Sequence, residues 1–291
     1  MHNTITLEFL KAGLWTTVQD QGRIGHQAFG VPVGGAMDQT AAQLANWLVG
    51  NEKESPLLEI TLLGPTIQIN QATQIAITGA NLSPSINGIP IPMYETVSIE
   101  QGTILKFGKI QHGCRAYLAI GGKWMIQKWL DSGSAATTSP AMLTPDSILK
   151  KDSILNIQST SFIEKRTAPT PPDYTSAIVV DVLAGPEFNN FSSSTIASFF
   201  SQEYTIANDS NRMGYRLLGT DLYFESKQEV ISSGIVLGTI QISNAGHPIL
   251  LMRDAHTTGG YPRIAVVAPS DLDRLAQLKP GEKVRFCFAN Q

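Results

Sequence analysis

Charge is scarce in this chain. Only 15% of its 291 residues are Asp, Glu, Lys or Arg, against ~25% in an average soluble protein. The formal net charge is -3 and no basic run occurs, which excludes an electrostatic nucleic-acid surface. Cysteine is nearly absent: Cys114 and Cys287 lie far apart, each inside an apolar run. Neither has a CxxC neighbour, so zinc is not indicated and no metal is expected. They read as buried thiols of a reducing compartment, with a single disulfide as the alternative. No apolar run is long enough to span a membrane, and the first ten residues lack the apolar core of a secretory signal. A cytoplasmic protein without membrane contact is expected. GxSxG, HExxH and Walker A patterns are missing too. Gly108-Lys109 and Gly122-Lys123 lack the spaced glycine and the hydroxyl of a phosphate loop, which argues against a self-contained nucleotide site of that type.

Turn formers are plentiful, with 25 Gly and 16 Pro. Between them the apolar signal comes in short runs: 4–10, 57–63, 67–69, 74–78, 96–100, 104–107, 116–120, 153–157, 177–183 and 283–288. Gly64-Pro65, Asn87-Gly88 and Gly185-Pro186 punctuate them. Such spacing predicts a mainly β protein with a few short helices, built as antiparallel barrels or sandwiches. Asp38 is placed to cap a helix from Gln39 to about Val49, with Gly50 at its end. A second short helix is expected from Phe191 to about Gln202. A third opens at the Ser270-Asp271-Leu272-Asp273 capping box and runs through about Leu278. Glu164 to Tyr174, holding Pro169, Pro171 and Pro172, is the best linker. It divides the chain into domains at 1–165 and 175–291. Ser132 to Pro145 reads as a flexible loop.

Three polar, glycine-marked loops concentrate the sparse charge: Gln19–Asp38, Asn211–Gly219 and Arg253–Arg263. The last follows two apolar strands, so a rigid scaffold delivers polar groups onto Gly259-Gly260, where the backbone can take φ > 0 or approach a ligand. Arg23, Arg212, Arg216, Arg253 and Arg263 suit a carboxylate or phosphate, whose oxygens match the guanidinium fork. The structural alternative is local pairing, Arg23 with Asp20 and Arg253 with Asp254. His256 has a side chain fit for acid–base work near neutrality, or for simple loop hydrogen bonding; His26 has the same two readings. Trp124 and Trp129 form an apolar patch, as core packing or as a partner surface.

Ordered runs along nearly the whole chain resemble one family. They are Thr16-Thr17-Val18-Gln19-Asp20 with Gly22-Arg23, Gly35-Ala36-Met37-Asp38, Leu58-Glu59, Arg115-Ala116-Tyr117-Leu118-Ala119, Arg212-Met213-Gly214-Tyr215-Arg216, Ile240-Gln241 and Thr257-Thr258-Gly259-Gly260-Tyr261-Pro262. The sequence resembles the 5-oxoprolinase C subunit, the sporulation regulator KipA, and the allophanate hydrolase subunit 2 domain of urea amidolyase and urea carboxylase. The resemblance implies two cyclophilin-like β-barrel domains. It implies a partner, the 5-oxoprolinase B subunit or a KipI-like protein, joined by the A subunit in the bacterial 5-oxoprolinase. There ATP hydrolysis drives opening of the 5-oxo-L-proline lactam to L-glutamate, with ATP acting through the complex. Two other roles follow from it: a non-catalytic KipA-like regulator that binds a KipI-like kinase inhibitor, or the carboxyltransferase component of a biotin-dependent enzyme.

The polar loops and the resemblance, taken together, assign catalysis to Asp254, His256 and Arg212. Binding of a small carboxylate substrate falls to Arg23, Gln19, Arg216, Tyr215, Gln241, Thr258, Gly259, Gly260 and Tyr261. Asn211, Ser233 and His256 stand where the family usually has Asp, Glu and Gln. Replacing Arg212, Arg216 or Asp254 by alanine is expected to abolish activity of the complex and leave the fold intact.

Overall fold

A computed structural model describes residues 4–168, 172–225 and 230–289. Its chain contacts separate two compact units, Met1–Arg23 with Gly34–Tyr174, and Ile24–Val33 with Thr175–Gln291. The expected linker residues Pro169 and Pro171 lie outside the described residues. The stretch just before them is not free: Thr96 N–H donates to the Arg166 carbonyl, Arg166 N–H donates to Thr96 Oγ1, and Ala168 N–H donates to the Tyr94 carbonyl.

In the first unit the strands are β1 (Thr4–Lys11), β2 (Trp15–Gln19), β3 (Leu57–Thr61), β4 (Thr66–Ile69), β5 (Thr73–Asn81) and β6 (Ser85–Ile86). They continue with β7 (Ile89–Pro90), β8 (Val97–Ile99), β9 (Thr103–Lys106), β10 (His112–Ile120), β11 (Gly122–Trp124) and β12 (Ile154–Ser159). These curl as two sheets, ordered β11-β12-β1-β4-β9-β6-β7 and β2-β3-β10-β5-β8. One core lies between them: Leu7, Phe9, Ile67, Leu105 and Leu155 from the first sheet meet Leu58, Ile60, Ile75, Ile77 and Leu118 from the second. Alternation along β10 sends Ala116, Leu118 and Ile120 into that core and Tyr117 and Ala119 to the opposite face. That face is covered by α1 (Gln39–Leu48), whose Ala41, Ala42, Ala45 and Leu48 pack on Leu57, Ala76, Tyr117 and Ala119. Hence β10 is buried on both faces and reads as an apolar run. The Asp38 carboxylate caps α1, accepting from the Ala41 N–H at 2.9 Å.

The second unit holds β13 (Ala177–Ala184), β14 (Tyr204–Ile206), β15 (Gly214–Leu218), β16 (Ser233–Gly234), β17 (Thr239–Ile242), β18 (Pro248–Leu251), β19 (Thr258–Gly259), β20 (Arg263–Val267) and β21 (Lys283–Phe288). Seven of them close a barrel, β13-β20-β17-β18-β15-β14-β21, sealed by the parallel pairing of β21 with β13. Outside the barrel β16 pairs with β19. The second helix, α2 (Ser193–Ser201), is capped by Ser192, whose hydroxyl accepts from the Thr195 N–H. The third, α3 (Leu272–Leu275), is shorter than expected. Asp271 makes no cap; its carboxylate instead accepts from the Asp181 N–H at 2.7 Å and from Arg274 at 2.6 Å.

Three loop expectations change. Trp15–Gln19, which the polar and glycine-rich composition of 13–38 makes part of one long loop, is a strand whose Thr16, Thr17 and Gln19 are buried rather than solvated. Gly214–Leu218, inside the second polar loop, is a barrel strand. Ser132–Ser134 is no flexible segment: both serines are buried and bond Asp20. Among the described residues no helix is long and apolar enough to cross a membrane.

Candidate functional site

In the second unit, pairing of β15 with β18 fixes the first feature. Gly214 lies opposite Leu251, and the ladder continues past the strand ends. Met252 N–H donates to the Met213 carbonyl at 3.1 Å and Asp254 N–H to the Arg212 carbonyl at 2.9 Å. This register brings Arg212 and Asp254 together. Arg212 Nε and Nη2 donate to the two carboxylate oxygens of Asp254, each at 2.9 Å, with both side chains buried. A fork-to-fork pair of this kind is directional and strong. It locks the 209–214 turn to the strand end, where Asn211 Oδ1 also accepts from the Met213 N–H at 2.8 Å. Arg253 does not pair with Asp254; its Nη2 lies 3.9 Å from Asp273.

The second feature is Gln241 on β17. It sits where the register with β20 shifts, opposite Ile249 on one side and Arg263 on the other. The residue is 1% exposed, and its amide nitrogen has no hydrogen-bond partner among the described residues. An unmet donor in such a place costs about 1–3 kcal/mol. Beside it Gly259 allows a close approach rather than a left-handed turn. A Cβ built there would meet Ile235 Cδ1 at 2.5 Å, Gln241 Nε2 at 2.9 Å and His256 Nε2 at 3.2 Å. Gln241 and His256 therefore converge over one glycine, with His256 and Thr258 exposed at the outer side.

Arg263 closes this region. Its Nε and its backbone N–H both donate to Glu187 Oε2, at 2.8 and 3.0 Å, and Nη1 reaches the Gly234 carbonyl at 3.2 Å. The hydrogen bond from Arg263 holds the Glu187 carboxyl below the usual carboxylate range, against the opposing effect of burial.

The other assigned residues of this unit separate. Tyr215 is a core residue of the barrel, 2% exposed, with its hydroxyl donating to the Leu278 carbonyl at 3.5 Å. Arg216 faces outward and pairs with Asp209 at 2.8 Å, both side chains exposed. Arg216 and Tyr261 share an open pocket of about 520 Å³ with Asp209, Ser243, Asn244 and His247. Gly260 lies exposed beside the Val230 carbonyl.

In the first unit, Asp20 and Arg23 do not pair with each other; both grip the 129–134 loop. The Asp20 carboxylate accepts from Gly22 N–H, Gly133 N–H, Ser132 Oγ and Ser134 Oγ at 2.6–2.8 Å. Arg23 donates to the Trp129 carbonyl at 3.1 Å and to the Ser134 carbonyl, and lies over the Trp129 ring. Trp129 thus serves as an arginine platform. Gly35, at φ +84°, passes against the Asp20 and Gln21 carbonyls, where a Cβ would come within 2.9 Å of backbone. Gln19, fully buried, donates to Thr17 Oγ1 at 3.0 Å, while its Oε1 has no partner among the described residues.

Sequence reasoning missed a polar row across the same sheet. Register places Thr17, Glu59, Tyr117 and Thr78 side by side on four neighbouring strands, all fully buried. Glu59 Oε2 accepts from Tyr117 Oη at 2.9 Å and from Met37 N–H at 2.7 Å. Arg115 Nε stands 3.8 Å from Glu59 Oε1. Tyr117 Oη accepts from Asp38 N–H at 2.8 Å, and Thr78 Oγ1 donates to the Ala41 carbonyl. Burial first, then the Glu59 charge, drive the Tyr117 pKa well upward, so it stays a donor. The signal was a lone charge inside an apolar strand, Glu59 in Leu57–Thr61 and Arg115 in His112–Ile120. Among the described residues no group of three or more His, Cys, Asp or Glu is placed to hold a metal ion.

The family model for the carboxyltransferase domain, subdomain A and B, matches residues 29–288. The chain belongs to this carboxyltransferase family. It is 34% identical over 280 residues to the 5-oxoprolinase C subunit of Escherichia coli (strain K12), covering 96% of this chain and 90% of that protein. Urea amidolyase of Saccharomyces cerevisiae is 30% identical over 96% of this chain, which spans only 16% of that longer protein. Among solved structures, the Kluyveromyces lactis urea amidolyase superposes with a TM-score of 0.88 at 29% identity, over 98% of this chain and 19% of that one. TTHA0988 gives 0.86 at 29% identity over 97% of this chain and 55% of that one. The carboxyltransferase-domain fold is therefore that of this chain end to end, and in several relatives it is one part of a longer polypeptide.

Proposed function

We propose that this chain is the C subunit of an ATP-dependent 5-oxoprolinase that, with the A and B subunits, hydrolyses 5-oxo-L-proline to L-glutamate in the cytoplasm. One observation carries the reading: the match to the bacterial 5-oxoprolinase C subunit is nearly whole to whole, 96% against 90%. The urea enzymes match only as a segment of themselves.

The geometry supports a chain that binds and orients while chemistry is completed in the complex. Arg212 and Asp254 grip each other through two buried hydrogen bonds, which in this reading makes their contribution the holding of the 209–214 turn. Gln241 and His256, which both lie against Gly259, carry the polar nitrogens that would meet a small polar group in this reading. Among the described residues no nucleophile stands hydrogen-bonded to a base there, the pairing that covalent catalysis would need. Three of the five loop arginines are committed within the protein: Arg23 to backbone carbonyls, Arg212 to Asp254 and Arg263 to Glu187. ATP accordingly belongs elsewhere in the complex in this reading. Both cysteines are free thiols, which suits a reducing compartment.

A second reading, the carboxyltransferase component of a biotin-dependent enzyme, is favoured by the family model and by the likeness to urea amidolyase. Biotin would then arrive on a separate carrier protein. Co-purification separates the two. The 5-oxoprolinase reading expects this chain to leave a sizing column with its cognate B protein and to gain turnover only when the A protein is added. Co-elution with a biotinylated carrier, and none with the B protein, would displace it.

A further inference from the structure

Gln241 is buried in the barrel wall with its amide nitrogen unmet among the described residues. Buried polar groups in folded proteins are nearly always satisfied, and the exceptions concentrate where a ligand completes them. Two further observations point the same way. The register with β20 shifts between Ile240 and Gln241, and irregularities of this kind recur where a sheet re-aims a side chain. Gly259 lets His256 Nε2 reach the same spot, 3.2 Å from where a Cβ would stand, against 2.9 Å for Gln241 Nε2. Ile235 Cδ1 supplies an apolar wall there. A buried donor, Gln241, and the imidazole of an exposed residue, His256, thus both lie against Gly259.

We infer that Gln241 and His256 form a reader for the edge of a cis amide, Gln241 Nε2 donating to the carbonyl oxygen and His256 Nε2 accepting the adjacent N–H. In a lactam ring, as in a primary amide, the C=O and an N–H point to the same side. An ordinary trans secondary amide holds them on opposite sides and presents only one at a time. The pair therefore selects amide geometry, independently of any carboxylate on the ligand. For the identity of the ligand as a lactam acid this rests on the 5-oxoprolinase reading; the amide-edge chemistry does not.

The test is calorimetry on the full chain, alone and with its cognate partners, using 5-oxo-L-proline, N-methyl-5-oxo-L-proline, L-proline, 2-pyrrolidinone and urea. Expected is binding of the first, at least tenfold weakened by N-methylation and by loss of the carbonyl in L-proline. Gln241→Met should weaken it tenfold or more and raise the melting temperature of the free chain, because an unmet donor is removed. Gln241→Glu should abolish binding, since two oxygens then face each other. Gln241→Met that lowers the melting temperature, or leaves binding unchanged, overturns the inference. So does Gln241→Glu that tightens binding, which would mean that the ligand presents N–H to this residue. So too does failure of every amide probe with chain and complex alike. Binding of urea or 2-pyrrolidinone but not of 5-oxo-L-proline, still lost in Gln241→Met, keeps the amide reader and removes the 5-oxoprolinase reading.

Discussion

Replacing Arg212 by methionine tests whether the buried ion pair holds the second unit together. The change removes both 2.9 Å bonds to Asp254 and leaves a carboxylate that is 2% exposed without its counter-charge. Breaking one side of such a pair costs about 3–5 kcal/mol. For a unit of this size that lowers the melting temperature by roughly 10–20 °C. The double variant Arg212→Met with Asp254→Leu removes both charges and should recover most of the loss, since apolar replacement of a whole buried pair is often neutral. All four tryptophans, Trp15, Trp47, Trp124 and Trp129, lie in the first unit, so indole emission does not report on this change. Hydrogen exchange at the Gly214–Leu218 and Pro248–Leu251 amides does. Protection there should fall in the single variant and return in the double. A single variant whose melting temperature stays within about 2 °C of the parent would refute the reasoning. The same result bears on activity: loss in Arg212→Ala or Asp254→Ala reflects the fold as well as the site, contrary to the expectation of an intact fold.

Three more outcomes follow. Glu187→Gln should flatten the acid limb of the stability curve. Arg263 lowers the Glu187 pKa in the folded chain, so the pair stabilises above the unfolded value of ~4.3 and that gain disappears as pH falls through the lower folded value; parallel melting curves for parent and variant would contradict it. Tyr117→Phe leaves Glu59 with one donor fewer and the Asp38 N–H without its acceptor. It should lower stability by about 1–3 kcal/mol in urea unfolding followed by tryptophan emission, and an unchanged midpoint would count against the polar row. Cys287 should react slowly with a thiol reagent at neutral pH, because its hydrogen bond to Asp181 raises its pKa, and Cys114 is buried. Both should label at once in denaturant; rapid native labelling of Cys287 would refute the assignment.

What the chain revealed in advance was local. Thr4–Lys11 alternates, so its strand could be read directly, and Asp38 announced the helix it caps. Trp15–Gln19 escaped because Thr16, Thr17 and Gln19 look solvent-facing, and only the sheet shows that they are buried. Gly214–Leu218 escaped because its glycine-and-arginine start imitates a turn. Partners distant in sequence were beyond reach. Arg212 meets Asp254 across 42 positions and Asp20 meets Ser134 across 114, and each meeting depends on strand register, which no single segment encodes. Asp20 and Asp254, the near neighbours offered as alternative partners of Arg23 and Arg253, make their hydrogen bonds to Ser134 and Arg212. Gln241, Thr258 and Gly259 were reached through shared motifs, yet what sets Gln241 apart, a sealed and unmet amide, exists only once the barrel is closed.

Turnover tests most directly whether this chain is a working part of a 5-oxoprolinase. The purified chain is combined with its cognate A and B proteins, and glutamate released from 5-oxo-L-proline is followed with and without ATP. Expected is ATP-dependent release that vanishes when this chain is omitted and drops sharply with Gln241→Met. Full release from the A and B proteins alone, or none from the three together while the B protein still binds this chain, would contradict it.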